Sequence, residues 1–341
     1  MTLKQSFRFL AVLLFVVISD QAAAAGRTLA DMVLSGIISP TDEVGHREDI
    51  MAAVENSLRN KRYDELETLA NTFRGQKLRT PSGRWRLSLF YGGLRRYQER
   101  LPENQDPPVG EWLAAYPSSP AAHIGYATML VEKAWKIRGK GYASTVDEED
   151  WTPFRETVER ARQYLLQYKS VAAIDPNWYA TMAEVGTIQG WSDADYDALL
   201  REAFDREPTY TDTYFEAANR DLPKWGGNAE KVEKLAREAE ERTRTTDGSG
   251  LYTRIYWSDY GDDLFTASAV DWAEMKRGMD DILARYPTQW NISHFAYFAC
   301  LAGDYTKALE MMDRIEYQPM TEIWGGLFSY YRCKLWAELL G

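Results

Sequence analysis

The sequence predicts an all-α protein of stacked antiparallel helix pairs, an α-solenoid with irregular repeats. Three observations predict it. Apolar residues recur at alternating steps of three and four along much of the chain, capping signals precede several of these stripes, and strand-like alternation is confined to Leu251 to Trp257. Even there Tyr252, Ile255 and Tyr256 fit one helix face, so that stretch also reads as helix.

The chain opens with Lys4 and Arg8, an apolar run from Phe9 to Ile18, and four alanines from Ala22 to Ala25. This is the pattern of a secretory signal peptide, with cleavage expected after Ala25 or one residue earlier. The apolar run is half of the roughly 20 residues that cross a bilayer as a helix, so a retained anchor is disfavoured. No Cys follows the small residues, which excludes a lipid-anchored lipoprotein. Nothing later is long and apolar enough to span a membrane, and the mean hydropathy is -0.47. The expectation is a leader over 1–25 and a single helical domain over 26–341. The product would be exported to the periplasm or cell exterior, with no stable membrane insertion once the leader is removed.

Composition then narrows the function classes. With 45% hydrophobic and 27% charged residues the chain can build a sizeable core. Its net charge of -11 includes Lys4, Arg8 and Asp20 of the leader, so the mature chain carries about -12, which repels nucleic acid and anionic lipid. The densest basic cluster, Arg84, Arg86, Arg95, Arg96 and Arg100, is interleaved with apolar residues and reads as the solvated side of one amphipathic helix. Aromatic content is high, with 12 Trp and 21 Tyr in 341 residues. These rings either fill seams between helices or line a groove that stacks on sugars or peptide side chains. Their phase with the helical stripes favours the seams.

Along the chain, Ile124, Ala127, Val131 and Ala134 mark one helix face, and Phe154, Val158, Ala161, Leu165, Tyr168 and Ala172 mark one long helix. Trp272, Met275, Met279, Ile282 and Tyr286 mark another. Ser119 before Pro120, Thr152 before Pro153 and Asp175 before Pro176 each place a capping oxygen ahead of a proline at a helix start. Ser192 with Asp195 and Ser268 with Asp271 read as capping boxes.

Repeats are also visible. Between Ile292 and Pro319, a helix with Phe295, Ala296 and Ala299 meets the turn Gly303, Asp304. A second helix with Tyr305, Ala308, Leu309, Met312 and Ile315 follows. This resembles a tetratricopeptide unit, in which small residues let paired helices approach and Gly ends the first helix. Pro176 to Pro208 spans close to the same period, with Tyr179, Met182, Ala183 and Gly186 on its first helix. On its second helix lie Tyr196, Leu199, Leu200, Ala203 and Phe204. The stretch Lys61, Tyr63, Leu66, Leu69 echoes half a unit, and elsewhere the register drifts.

A further set of residues is Arg138, Gly139, Gly141 and Tyr142 ahead of Phe154; Asp175, Pro176, Trp178 and Tyr179; Gly190 and Trp191; and Leu222, Pro223, Lys224, Trp225, Gly226 and Gly227. On these the chain resembles a bacterial family known as domain of unknown function 4034. The resemblance implies no activity, but it marks the turn at Trp225 as a family hallmark. Pro223 and the paired glycines predict a tight connection that fixes Trp225 against the helices on either side.

Chemical motifs are sparse. Gly139, Lys140 and Gly141 lack the spacing of a phosphate loop and read as a helix stop. His46, His123 and His294 lie in separate segments without helical pairing, so no metal site is expected from them. No glycine-flanked serine turn announces a nucleophile, and no cofactor is expected. Asp259, Asp262 and Asp263 near Trp257 and Tyr260, and Asp193, Asp195 and Asp197 after Trp191, could pair as glycosidase carboxylates. They fit equally the acidic first turn of a following helix. The leading expectation is a binding or scaffold protein holding a peptide or protein on a concave surface, the alternative a carbohydrate-active enzyme. Trp178, Trp191, Lys224, Trp225, Trp257 and Tyr260 are the candidate ligand or packing residues. Cys300 and Cys333, about one repeat period apart, are expected on neighbouring first helices with Cα atoms within about 12 Å. Whether they bond is open.

Overall fold

The computed structural model describes residues 43–139, 141–316 and 318–340, so the expected leader lies outside the described residues. Those residues form 18 α-helices and no strand, as the stripes predicted. The chain begins with α1 (Glu43–Arg59), α2 (Tyr63–Gly75), α3 (Arg86–Arg100) and a short α4 (Gly110–Ala115). Helix pairs then follow in series. The first joins α5 (Pro120–Arg138) to α6 (Glu148–Gln167) and the one-turn α7 (Lys169–Ala172). Next come α8 (Asn177–Ile188) with α9 (Asp193–Arg206), and α10 (Thr211–Arg220) with α11 (Ala229–Asp247). The fourth joins α12 (Gly250–Asp259) through the short α13 (Leu264–Ala267) to α14 (Trp272–Arg285). Finally α15 (Gln289–Leu301) and α16 (Tyr305–Met312) lead through α17 (Thr321–Trp324) to α18 (Leu327–Leu340).

First helices stack on one another. Contacts run from α3 to α5, α5 to α8, α8 to α10 and α10 to α12, and Trp257 against His294 and Phe298 carries the row to α15. The stripe residues Ile124, Ala127, Val131 and Ala134 are buried, as are Phe154, Val158, Ala161 and Leu165. Trp85, Trp112 and Trp178 are among the largest fully buried side chains, so much of the aromatic excess fills seams.

Several local expectations hold. Ser119 accepts from the Ala122 amide and Ser192 from the Asp195 amide, satisfying orphan donors at two helix starts. Asp175 Oδ1 accepts from the Asn177 amide at 3.0 Å. Gly303 takes φ +71 at the end of α15, a left-handed conformation that glycine adopts freely, and Asp304 caps α16.

Others are corrected. α6 begins at Glu148, a turn before Thr152, because Glu148, Glu149 and Asp150 suit the positive end of the helix. Pro153 therefore sits inside the helix, where it leaves only the Glu149 carbonyl without its helical amide. The single helix expected through Ala172 breaks at Tyr168. Ser268 does not cap α14. Its hydroxyl donates to the Leu264 carbonyl at 2.5 Å, and Asp271 accepts from the Ala273 amide at 2.9 Å instead.

The arginine cluster is not a solvated face. Arg95 is held by Glu184, with Glu132 at 3.9 Å. Arg96 is held by Glu48 and Glu55, and Arg100 also reaches Glu55. Burial works against the Arg95 charge, yet Glu184 raises its pKa above the ordinary arginine range. These charges link α3 to α1 and α8.

A hairpin across the helix row is the feature that no local pattern announced. Arg79 and Trp85 form an isolated antiparallel bridge, and between them Gly83 turns at φ +95. Trp85 Nε1 donates to the Thr209 carbonyl at 2.6 Å, and its ring meets Tyr210 edge-on at 5.1 Å. The Ser82 carbonyl accepts from Arg254 Nη2 at 2.7 Å and from Asn291 Nδ2 at 3.2 Å. The segment between α2 and α3 thus rests against α10, α12 and α15.

Candidate functional site

Where this hairpin meets the first helices, a cavity of about 460 Å³ opens. Arg47 from α1, Arg84 from the hairpin and Arg254 from α12 supply its cations. Trp257, Trp290 and Phe215 form apolar walls, and Glu216 is the only acid among the described lining residues.

The three arginines differ in their partners. Arg47 Nε binds Glu43 at 2.6 Å and its guanidinium lies 5.1 Å from the Trp290 ring centre. Glu43 also accepts from Thr80 Oγ1 at 2.8 Å and the Ser82 amide at 2.9 Å, so it fixes both Arg47 and the hairpin. Arg84 faces Asp212 at 3.8 Å. Arg254 has no ion pair among the described residues. Among the described residues its one hydrogen bond goes to Ser82, and its guanidinium lies 5.9 Å from the ring centres of both Trp257 and Tyr286. Burial lowers its pKa to about 10, which still leaves it charged at neutral pH. Arg254 is half-buried and retains some solvent access.

Behind Trp257 lies His294, which packs on Trp257 and Trp290 with ring centres at 4.3 and 4.6 Å. Its Nδ1 is 2.9 Å from the Trp290 carbonyl, the geometry of an N–H donor. Burial lowers its pKa to about 3, so the ring is neutral. The three histidines lie on α1, α5 and α15, and no group of three His, Cys, Asp or Glu among the described residues could hold a metal ion.

Of the candidate ligand or packing residues named from sequence, only Trp257 lines this cavity. Trp178 is buried, with Nε1 donating to the Leu165 carbonyl at 3.0 Å. Trp191 is half-buried, its Nε1 donating to Gln189 at 2.9 Å beneath Arg162. Lys224 is exposed. Trp225, 39% exposed, meets Trp135 edge-on at 6.4 Å. Its turn is tight as expected: a Cβ on Gly227 would lie 2.0 Å from the Asp221 carbonyl oxygen. The ring is nevertheless not enclosed between helices, which corrects that part of the expectation. Tyr260 packs on Tyr256 at 5.8 Å. These residues occupy separate places rather than one groove.

Of the candidate carboxylates Asp193, Asp195 and Asp262 are engaged elsewhere, and the side chain of Asp259 lies outside what the structure describes. Asp193 pairs with Arg220 at 3.1 Å and Lys231 at 3.3 Å, and hydrogen bonds from both lower its pKa. Asp195 accepts from Ser192, and Asp262 accepts from the Tyr297 hydroxyl. Asp263 is exposed. A second cavity of about 350 Å³ holds Asp193, Asp197 and Asp221 among Arg201, Arg220 and Lys231. That is an ion-pair mesh without an exposed aromatic platform.

Cys300 and Cys333 form a disulfide with Cα atoms 6.1 Å apart, joining α15 to α18. Sequence reasoning missed Arg47, Arg254 and Trp290, and it read Arg84 as part of a solvated helix side. One signal was present: Arg254 is the only charge between Leu251 and Trp257. No protein-family model matches the chain, and neither a curated protein nor a solved structure matches it.

Proposed function

We propose that this chain is an exported helical-repeat binding or scaffold protein that holds a peptide or protein partner on its first-helix surface, without catalysis. The observation that carries this reading is the cavity under the 79–85 hairpin, where Arg254 stands beside Trp257 and Trp290. A half-buried cation next to aromatic walls is a recognition arrangement, because it rewards a ligand that is anionic and apolar at once. The engaged carboxylates support the same reading. Glycoside hydrolysis needs two carboxyl groups across a scissile bond, and Glu216 is the cavity's one described acid.

Export is supported by the leader pattern and by the Cys300–Cys333 bond, which belongs to an oxidising compartment. No helix among the described residues is long and apolar enough to cross a membrane. Membership of the domain of unknown function 4034 family is part of the proposal and adds no activity.

The test is a pull-down from periplasmic extract with the mature protein, run beside Trp257→Ala and a polysaccharide-binding screen. A polypeptide retained by the parent and reduced with the variant is the expected result. Retention of polysaccharide alone, or its cleavage, would overturn the reading in favour of the carbohydrate-active alternative.

A further inference from the structure

We propose that the cavity beneath the hairpin is a carboxylate-binding site, anchored by Arg254, for a carboxylate carried next to an apolar or aromatic side chain. The inference rests on the binding role proposed above and names the ligand chemistry of that site.

Charge matching carries the argument. The Arg47 charge is answered by Glu43 at 2.6 Å, and that of Arg84 faces Asp212 at 3.8 Å. Arg254 has no carboxylate in ion-pair contact among the described residues: Asp247 and Glu43 act on it only from farther away, and the Ser82 carbonyl takes one of its donors. A cation kept inside a protein without a counter-ion is unfavourable unless something completes it. A guanidinium presents a planar fork of N–H donors matched to the two oxygens of a carboxylate. Here that fork borders a cavity large enough for an aromatic amino-acid residue.

The neighbours set the rest of the ligand. Trp257, Trp290 and Phe215 offer apolar surface beside the fork, so a bare anion would leave much of the cavity's binding surface unused. One positive charge without a contacting carboxylate, with Glu216 on the wall, neutralises a monoanion better than a phosphate dianion. Gly83 is part of the construction, because a Cβ there would lie 2.5 Å from Arg254 Nη2. The chain therefore leaves space at this point for the guanidinium.

Such a carboxylate can come from the free C-terminus of a partner polypeptide or from a small organic acid, and titration calorimetry on the full mature chain separates the two. The probes are N-acetyl-phenylalanine, its carboxamide, and a decapeptide ending in Phe with a free or an amidated C-terminus. The free acids should bind at least ~10-fold more tightly than their amides, as expected when a charge-assisted hydrogen bond is lost. Arg254→Gln should remove that preference, while Arg201→Gln, in the second cavity, should leave it in place. The acid-against-amide comparison needs no variant, so a misfolded Arg254→Gln protein would not shield the proposal. Equal binding of acid and amide, or binding of neither acid, overturns the carboxylate site whether or not a partner is captured. Binding of N-acetyl-phenylalanine without the free-ended decapeptide supports the site and overturns the polypeptide-binding role.

Discussion

Arg254 Nη2 donates to the carbonyl of Ser82, 172 residues earlier in the chain, at 2.7 Å. The contact is possible because Gly83, at φ +95, has no side chain: a Cβ would lie 2.5 Å from that nitrogen and 2.7 Å from the Tyr286 ring. Gly83→Ala is expected to destabilise the fold by about 1 to 3 kcal/mol, from backbone strain and displacement of Arg254. Urea denaturation monitored by far-UV circular dichroism would measure it. An unchanged midpoint would show that the hairpin is not packed on α12.

Two tryptophans should respond differently to truncation. Trp178 is fully buried and hydrogen-bonded, so Trp178→Ala should lose about 3 to 5 kcal/mol. Trp225 is 39% exposed, and Trp225→Ala should lose less than about 1.5 kcal/mol, the scale of one aromatic pair. Parallel unfolding curves decide between this order and the reverse, which would make the turn at Trp225 the structural anchor.

The disulfide bears on the last helix more than on the core. Tyr330, Cys333 and Ala337 are the buried residues of α18, whereas Phe328, Tyr331, Leu335 and Leu339 are exposed. Reducing a bond that closes a separation of 33 residues should lose about 4 kcal/mol on the chain-entropy account. Hydrogen exchange should then accelerate in 327–340 while α5 to α12 stay protected. Equal acceleration throughout would contradict a local role.

His294 sets a pH dependence with a definite sign. Its folded pKa of about 3 lies below the ordinary 6.5, so the unfolded chain takes up the proton first. The contribution is fully present above 6.5 and is lost as pH falls from there towards 3. The expected slope approaches about 1.4 kcal/mol per pH unit. Chemical denaturation between pH 6.5 and 5 lies above the ordinary carboxylate range, and His294→Gln should flatten the slope against the background of Asp175, Asp212 and Asp221, which burial raises. A slope unchanged in the variant would assign the effect to other groups.

The helices were legible because burial on one face imposes a period that survives in the sequence. Ile124, Ala127, Val131 and Ala134 carry it, and all four are buried. Caps were legible where the side chain acts on its own next turn, as at Ser119 and Ser192. They failed where another local interaction competed: Ser268 spends its hydroxyl on the preceding turn, and the acidic residues from Glu148 move a helix start past Pro153. The proximity of Cys300 and Cys333 followed from the repeat spacing, since one period returns the chain to the neighbouring first helix.

What the sequence by itself determined is the all-α class, the phase of each amphipathic face, and the stacking of helix pairs that follows when each must cover its apolar side. What only the tertiary structure decided is which charges are matched. Arg95, Arg96 and Arg254 look alike along the chain, yet Arg95 and Arg96 meet carboxylates on neighbouring helices, while Arg254 meets a carbonyl and two aromatic rings. The reason is physical. Helical periodicity is fixed by contacts within a few residues, whereas the partner of a guanidinium depends on a hairpin placed 172 residues away in sequence, whose position exists only once the helices have packed.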